Sequence, residues 1–590
     1  MTRQSRSLRL AWICCVAAAG LATGIPARAH DFGAAAAAPP TKAAAPAGDV
    51  PDGPPFQPEL PPDVDGLPPE LAGPAADHPA ASAPGAGASE ATSPAEVAPA
   101  LEAELETLLR ADGASTAGAP RRERKARLAI GIFFFERGFA ALWTAADGFT
   151  PRARAAIARL GRAAEDGLDL SGIAIPDPRG EGWSAARRAR AEIALSQAIV
   201  AYAAQASGGR VEPGAISHEI TARPEVADPL QALGAVAAAQ DADAALEAFN
   251  PPHKGYRDLR EKLARLRAEA LPAAPIAAGP TPTLGAEDPQ APIMRTRFRF
   301  DAPAAGPGSG ALVHDVRVAA AVGEFQRARA VEPWGRLKAS TLRALSGESA
   351  GREEAAILAN MEMWRWEPRD MGEERVEVNI PDFTLKLMRG EEVIHKARVI
   401  VGKPDTPTAI FSNRIKYLLV NPAWVVPKSI IAKEMLPKLA LDPDYLIKAG
   451  FEVTRKGDTI TVRQPPGEHN ALGHLLFMFP NEHAIYLHDT PSRGLFAAQR
   501  RAFSHGCVRV DDPMRLGELA MGGAAAGWTQ ARLRALEGGV ERTIFLPHPL
   551  AIHIEYFTAF VDQSGALQMR DDIYGHERRV ETALGLDSRS

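Results

Sequence analysis

Apolar residues recur along this chain at two different periods, and the change of period divides it. From about 101 to 270 the spacing is helical. Leu101, Leu105, Leu108 and Leu109 lie on one helix face, and Leu128, Ile132, Phe135 and Phe139 follow at i, i+4, i+7 and i+11. Ile130, Phe133 and Phe134 widen the second face, predicting a well-buried helix that runs on to a break at Asp147-Gly148. Thr150-Pro151 opens the next helix with a hydroxyl cap and a proline in its first turn. Further helices are predicted near 184–206, 228–248 and 254–270, with Asn250-Pro251-Pro252 as the breaker between the last two. A small helical unit is expected at 311–350, and a connecting helix at 351–373 carries Trp364 and Trp366.

From about 374 to 550 the period becomes two. Val376, Val378 and Ile380 alternate, then Phe383, Leu385 and Leu387, and short strands recur as far as Ile485-Tyr486-Leu487-His488. Helix-like positions at Ile430, Ile431, Met435, Leu436 and Leu439 interrupt this domain and predict an inserted cap over about 425–475. Residues 551–590 are expected to pack back on the preceding domains. The fold class is multidomain α+β: a helical scaffold, a small helical unit and a β-rich domain with a capping insertion.

Composition adds the connections. Residues 30–100 and 271–310 are rich in Pro and Ala and lack the apolar bulk to offset ordering entropy, so both are predicted linkers. At the start, Arg3, Arg6 and Arg9 precede a short apolar run, Ala11 to Gly20, and Ala27-Arg28-Ala29 is a small-residue cleavage site. Residues 1–29 therefore read as a secretory signal peptide, too short in its apolar part to span a bilayer. Removing Arg3, Arg6, Arg9 and Arg28 takes the formal charge from −5 to −9, which argues against a nucleic-acid partner. Cleavage also removes Cys14 and Cys15 and leaves Cys507 as the one cysteine of a chain in an oxidising compartment.

Several chemistries fail on spacing. The G-x-S-x-G pattern at Gly347–Gly351 lies between helical segments, where no strand can build a nucleophile elbow, so it reads as a turn. His218-Glu219 and His576-Glu577 each lack the second histidine of a zinc site, no phosphate-binding loop is present, and neither a metal nor a cofactor is called for.

Cys507 has a different setting. Ser504-His505-Gly506-Cys507-Val508-Arg509 is followed by Asp512-Pro513, a predicted side-chain cap and first residue of a helix. A thiol with an ordinary pKa of about 8.5 needs an imidazole or a cation to become nucleophilic. His483, His488 and His505 are the candidate bases, and His488 ends an apolar strand from which a side chain can enter a cleft. Gly506 allows close backbone approach, and the N–H groups near Gly506 and Cys507 are candidate oxyanion donors.

The segment Ser504–Arg509, with His488 upstream, resembles the S-H-G-C-[IV]-R signature of the YkuD-type L,D-transpeptidases. Flanking words are similar to those of its large YcbB-like subfamily from Gram-negative bacteria: Asn379-Ile380-Pro381, Val401-Gly402-Lys403-Pro404, Asn421 to Pro427, Arg463 to Gly467, Asn470 to Gly473 and Phe477 to Pro480. Gly209 to Pro213 resembles a scaffold-domain turn. Glu324-Phe325-Gln326-Arg327 resembles a peptidoglycan-binding unit at 311–350, although Val331 to Gly335 replaces that unit's usual D-G-x-x-G turn.

The resemblance implies a periplasmic enzyme that forms 3–3 peptidoglycan crosslinks through a cysteinyl thioester. Tetrapeptide stems would be donor and acceptor, and cell-wall synthesis proteins further partners. Cys507 would be the nucleophile and His488 the base, its ring oriented by a backbone carbonyl rather than by the Asp489 side chain. Ser504 and His505 would shape the loop. Arg509 would either hold a substrate carboxylate or brace the loop. Tyr486 and Trp424 would either line the donor cleft or pack in the core. An L,D-carboxypeptidase or amidase of the same fold, and a non-catalytic cell-wall scaffold, are the alternatives.

Overall fold

The computed structural model describes residues 94–114, 121–177, 183–269, 316–328, 348–457 and 459–586. The predicted signal peptide, most of the first linker, the second linker and the small unit beyond its first helix lie outside the described residues. Helix-rich segments precede a β-rich domain, a multidomain α+β architecture, and no helix among the described residues is long and apolar enough to cross a membrane.

The described residues fall into two compact units, 94–148 with 183–193, and 149–177 with 194–586. In the first, helices Pro94–Ala114 and Arg121–Glu136 pack through Leu101, Leu105, Leu109, Ile130, Phe133 and Phe134. Two expectations are corrected here. The first helix begins at Pro94, inside the predicted linker, because a proline fits the first helical position and Val97 extends the apolar stripe. The second helix stops at Glu136, well short of Asp147: Gly138 and Phe139 both adopt positive φ. Its buried face is Ile130, Phe133 and Phe134, while Phe135, assigned to the core by spacing, is 38 % exposed.

The second unit holds the remaining scaffold helices and the β-rich domain. Thr150 caps helix Pro151–Gly161 by accepting from the Ala153 N–H, with Pro151 at its start. The span predicted as one helix at 228–248 is two, Pro229–Ala238 and Ala242–Glu247, each capped by an aspartate, Asp228 and Asp241. Helix Glu348–Trp364 includes Ser349 in its first turn, so residues 348–351 of the G-x-S-x-G segment are helical rather than a turn.

That helix ties scaffold to sheet. Glu362, buried, accepts from the N–H groups of Arg210 (2.5 Å) and Val211 (2.7 Å), pinning the Gly209–Pro213 turn. Beyond its end, Arg365 donates to the Asp166 carbonyl (2.5 Å) and the Tyr256 hydroxyl (3.0 Å). The fully buried Asp166 carboxylate takes Arg159 (2.9 Å), Arg260 (2.9 Å) and the Tyr202 hydroxyl (2.8 Å). A parallel bridge between Ile220 and Ile410 joins the scaffold directly to the start of a central strand.

The β-rich domain has twelve strands: β1 Glu374–Asn379, β2 Thr384–Arg389, β3 Glu392–Gly402, β4 Phe411–Val420, β5 Trp424–Val425, β6 Glu452–Lys456, β7 Thr459–Gln464, β8 Leu475–Met478, β9 Leu487–His488, β10 Ala502–Ser504, β11 Val508–Val510 and β12 Arg542–Glu555. Nine form one sheet in the order β10-β3-β11-β9-β8-β4-β12-β1-β2, and β2 also pairs with β3, so the sheet closes on itself. The inserted segment folds around β5, β7 and β6 with short helices between Lys428 and Lys448. Its own small core is Val426, Ile431, Met435, Leu446 and Val462.

Replacing Asp166 by Ala leaves the buried Arg159 guanidinium without its main counter-charge. A loss of about 3–5 kcal/mol is expected in denaturant unfolding, the range for breaking one side of a buried ion pair. A loss under 1 kcal/mol would mean that the network does not anchor the scaffold.

Candidate active site

Strands β9 and β11 run parallel and side by side, with Leu487 opposite Val508 and His488 opposite Arg509. One position earlier, the Val508 N–H donates to the Tyr486 carbonyl at 3.1 Å. Leu487, Val508 and Val510 are fully buried in the main core. Strand residues alternate between faces, so Tyr486 and His488 share the opposite face with Cys507 and Arg509. Cys507 therefore sits directly before a three-residue strand, and the helix Pro513–Ala520 comes only after it. Asp512 precedes that helix in the left-handed region (φ 56°) and caps nothing through its side chain, a second correction: the chain must reverse sharply on leaving β11.

His488 is buried, and its Nδ1 donates to the Asp489 carbonyl at 2.6 Å. A carbonyl only accepts, so Nδ1 carries the proton and Nε2 of the neutral ring is the basic nitrogen. The Asp489 carboxylate faces away from the ring: it accepts from the N–H groups of His474 (2.9 Å) and Thr490 (2.7 Å) and pairs with Arg493. Burial, with the charge of Arg509, lowers the His488 pKa to about 3, and the carbonyls of Asp489 and Leu472 offset this only in part.

Cys507 is half-buried. Its Sγ lies 3.8 Å from the Ala484 carbonyl, and the Tyr486 hydroxyl faces it while also meeting Trp424. Burial pushes the thiol up to about 11, against the opposing pull of Tyr486 and of the Arg509 charge. Neutral thiol and neutral imidazole are thus the resting pair. The Tyr486 ring stands edge-on to that of His488, 5.6 Å between centroids. The Arg509 guanidinium has no hydrogen-bond partner among the described residues, and its buried Nε is unsatisfied, so the side chain does not brace the loop. That leaves a cation beside the thiol and free to meet an anion.

The loop is braced by other groups. The Ser504 hydroxyl donates to the Cys507 carbonyl (2.5 Å) and accepts from the Gly506 N–H (3.2 Å). Of the two N–H groups considered for an oxyanion, Gly506 is thereby occupied, and the Cys507 N–H has no partner among the described residues. Gly506 holds φ +117°, which side-chain-bearing residues rarely adopt, and its carbonyl accepts from Thr408 Oγ1 at 2.7 Å.

Thr408 belongs to a tight turn that starts at Gly402, where a Cβ would lie 2.2 Å from the Thr406 carbonyl oxygen. The same turn donates from the Lys403 N–H (3.0 Å) and Thr406 Oγ1 (3.2 Å) to the Ser504 carbonyl. Sequence reasoning picked out Val401–Pro404 as a word of the resemblance and missed Thr406 and Thr408. The S/T residues after that word were the available signal. His505 points to the cap, where its Nε2 meets Glu434 at 2.5 Å. Trp424, on β5, packs near Phe451 of the cap and against the Leu419, Leu472 and Leu476 cluster. Of the three candidate bases, only His488 shares the face of Cys507: His483 bonds Thr221 (3.0 Å), and His505 is committed to Glu434.

With the thiol at about 11 and His488 neutral above about 3, the thiolate fraction should grow roughly tenfold per pH unit through the neutral range. Alkylation of Cys507 by iodoacetamide is expected to climb without levelling between pH 6.5 and 9.5. A plateau below pH 7 would reveal a standing thiolate–imidazolium pair and contradict this electrostatic account.

Residues 373–524 match the L,D-transpeptidase catalytic domain called YkuD, and residues 129–263 match a Scaffold domain. A curated putative L,D-transpeptidase from Haemophilus influenzae is 32 % identical over 226 residues, 35 % of this chain and 45 % of that protein, so this chain spans under half the length of the curated relative it matches. Among solved structures, an L,D-transpeptidase from Mycobacterium smegmatis is similar at 16 % identity, over 31 % of this chain and 58 % of that one, with a TM-score of 0.17. An L,D-transpeptidase from Xylanimonas cellulosilytica is similar at 14 % identity, over 47 % and 99 %, with a TM-score of 0.14. Over residues 373–524, in its β-rich part, this chain is thus similar to the L,D-transpeptidase catalytic domain called YkuD.

Proposed function

We propose that the chain is a periplasmic L,D-transpeptidase of the large YcbB-like kind, which forms 3–3 crosslinks between peptidoglycan stems through a thioester on Cys507. The observation that carries this is the shared face of β9 and β11, which turns a thiol and an imidazole to the same side, the ring with its proton on Nδ1.

As Cys507 Sγ attacks the carbonyl carbon of the amide between the third and fourth residues of a donor stem, its proton passes to His488 Nε2. The third residue is meso-diaminopimelate, reacting at its L-centre. The neutral resting pair makes proton transfer part of the attack rather than a prior step. The negative charge that develops is met by the Cys507 N–H and by the unpartnered Arg509 guanidinium. The Asp489 carbonyl holds the imidazolium that forms, as an orienting acceptor does in other nucleophile–histidine pairs.

His488 then returns the proton to the leaving D-alanine amine, and the thioester remains. A side-chain amine of a second stem attacks the thioester and gives its proton to His488, which reprotonates the departing thiol. The amide energy is conserved in the thioester, so no nucleotide is consumed. The cap, held to the Cys507 loop through His505 and Glu434, limits water in the cleft and favours the amine.

Digestion of tetrapeptide-rich sacculi by the purified chain, read as a muropeptide profile, is expected to yield 3–3 dimers with release of D-alanine. Tripeptides without dimers would sink crosslinking in favour of the carboxypeptidase alternative. Cys507→Ala is expected to abolish both products, and His488→Ala to slow both by about 10²–10⁴-fold. Activity retained without the thiol would overturn the assignment.

A further inference from the structure

A cavity of about 430 Å³ lies within the same compact unit, and none of Tyr486, His488, Cys507 or Arg509 lines it. Arg223 comes to it from the scaffold, Trp366 from beyond helix Glu348–Trp364, Phe411 and Ser412 from the start of β4, and Glu482 and His483 from the loop before β9. The volume is that of a small-ligand site.

Its charges are unusual. Arg223 is exposed and has no hydrogen-bond or ion-pair partner among the described residues. The Glu482 side chain is 71 % exposed, and its nearest basic neighbour is its own chain neighbour His483, at 3.9 Å. An arginine and a glutamate thus line one cavity without pairing to each other. Ser412 Oγ is already committed to His553 Nδ1 at 2.8 Å and His483 to Thr221, while the buried Trp366 Nε1 has no hydrogen-bond partner among the described residues. Trp366 and Phe411, both buried, supply apolar wall. A ligand with a single charge would leave one of the two ionised residues facing it unmatched. A ligand with an ammonium and a carboxylate a few bonds apart would match both.

We propose that this cavity is a second binding site for the zwitterionic end of a peptide stem, with ammonium toward Glu482 and carboxylate toward Arg223. The choice of a stem rests on the transpeptidase reading; the zwitterion chemistry does not. The site also adjoins the thiol through one loop. Asn481 holds that loop by donating to the carbonyls of Phe479 (2.6 Å) and Ile485 (2.7 Å) and accepting from the N–H groups of His483 (3.0 Å) and Ile485 (3.1 Å). Ala484, in the left-handed region at φ 52°, then turns its carbonyl to Cys507 Sγ. A ligand seated on Glu482 therefore loads the residues that place the thiol's hydrogen-bond acceptor.

The test is isothermal titration of the full chain carrying Cys507→Ala with a tripeptide stem that ends in meso-diaminopimelate, beside the same tripeptide amidated at the D-centre carboxylate. Saturable binding is expected, weakened at least tenfold by Arg223→Ala, by Glu482→Gln and by amidation. The acid and the amide are expected to bind alike once Arg223 is gone. Both substituted side chains are exposed, and an unchanged thermal midpoint will verify that each variant folds. Binding that is equal in parent and both variants would overturn the proposal, because it would place the ligand elsewhere. Since no thiol is present in this experiment, missing dimers in a turnover assay would remove the crosslinking reading without touching this one.

Discussion

The parallel pairing of two very short strands, Leu487–His488 and Val508–Val510, is the constraint on which the site depends. A slip of one residue would turn Cys507 and Arg509 into the core and bring Val508 and Val510 to the cleft. That slip is resisted by burial: Leu487, Val508 and Val510 are fully enclosed by the main core. Hydrophobic burial on one face of the pair thus sets the position of the polar chemistry on the other. The longer strand β3, which pairs with β11 through Arg509 opposite Ile400, holds the outer side in register.

Burial has an electrostatic consequence as well. It disfavours both charged forms, raising the thiol and lowering the imidazole, so both groups rest neutral. The nearby cation, Arg509, is too weak to reverse this for the free thiol but stands where a bound substrate's developing charge would meet it. A thiol that is not a standing thiolate also reacts slowly with oxidants.

Much of the chemistry was legible because it is local. Ser504 to Arg509 is a contiguous word, and His488 ends a recognisable strand. Reach argued against the Asp489 carboxylate as the group that orients the ring, and the resemblance supplied a backbone carbonyl in its place. Contacts between distant segments left no such trace. Thr408 braces Gly506 across 98 residues and Glu434 meets His505 across 71, and neither distance has a periodic signature. Helical spacing also misassigned Phe135: the pattern 128, 132, 135, 139 is regular, but the helix ends at Glu136 and its neighbour packs on the adjacent face. Asp512 had a capping residue's chemistry, yet the reversal after β11 forced its backbone into a conformation that takes the side chain away from the helix N-terminus.

The scaffold contributes rigidity at one remove, through Asp166, Glu362 and Arg365, and the cap contributes enclosure through His505 and Glu434. Neither carries the proposed reaction, whose central claim is a covalent bond to Cys507. The most direct measurement is the intact mass of the chain after mixing with a tetrapeptide donor in the absence of acceptor and quenching in acid. The account requires an added mass equal to the donor less D-alanine, localised to Cys507 and removed by hydroxylamine. Release of D-alanine with no adduct on Cys507 at any time point would contradict it.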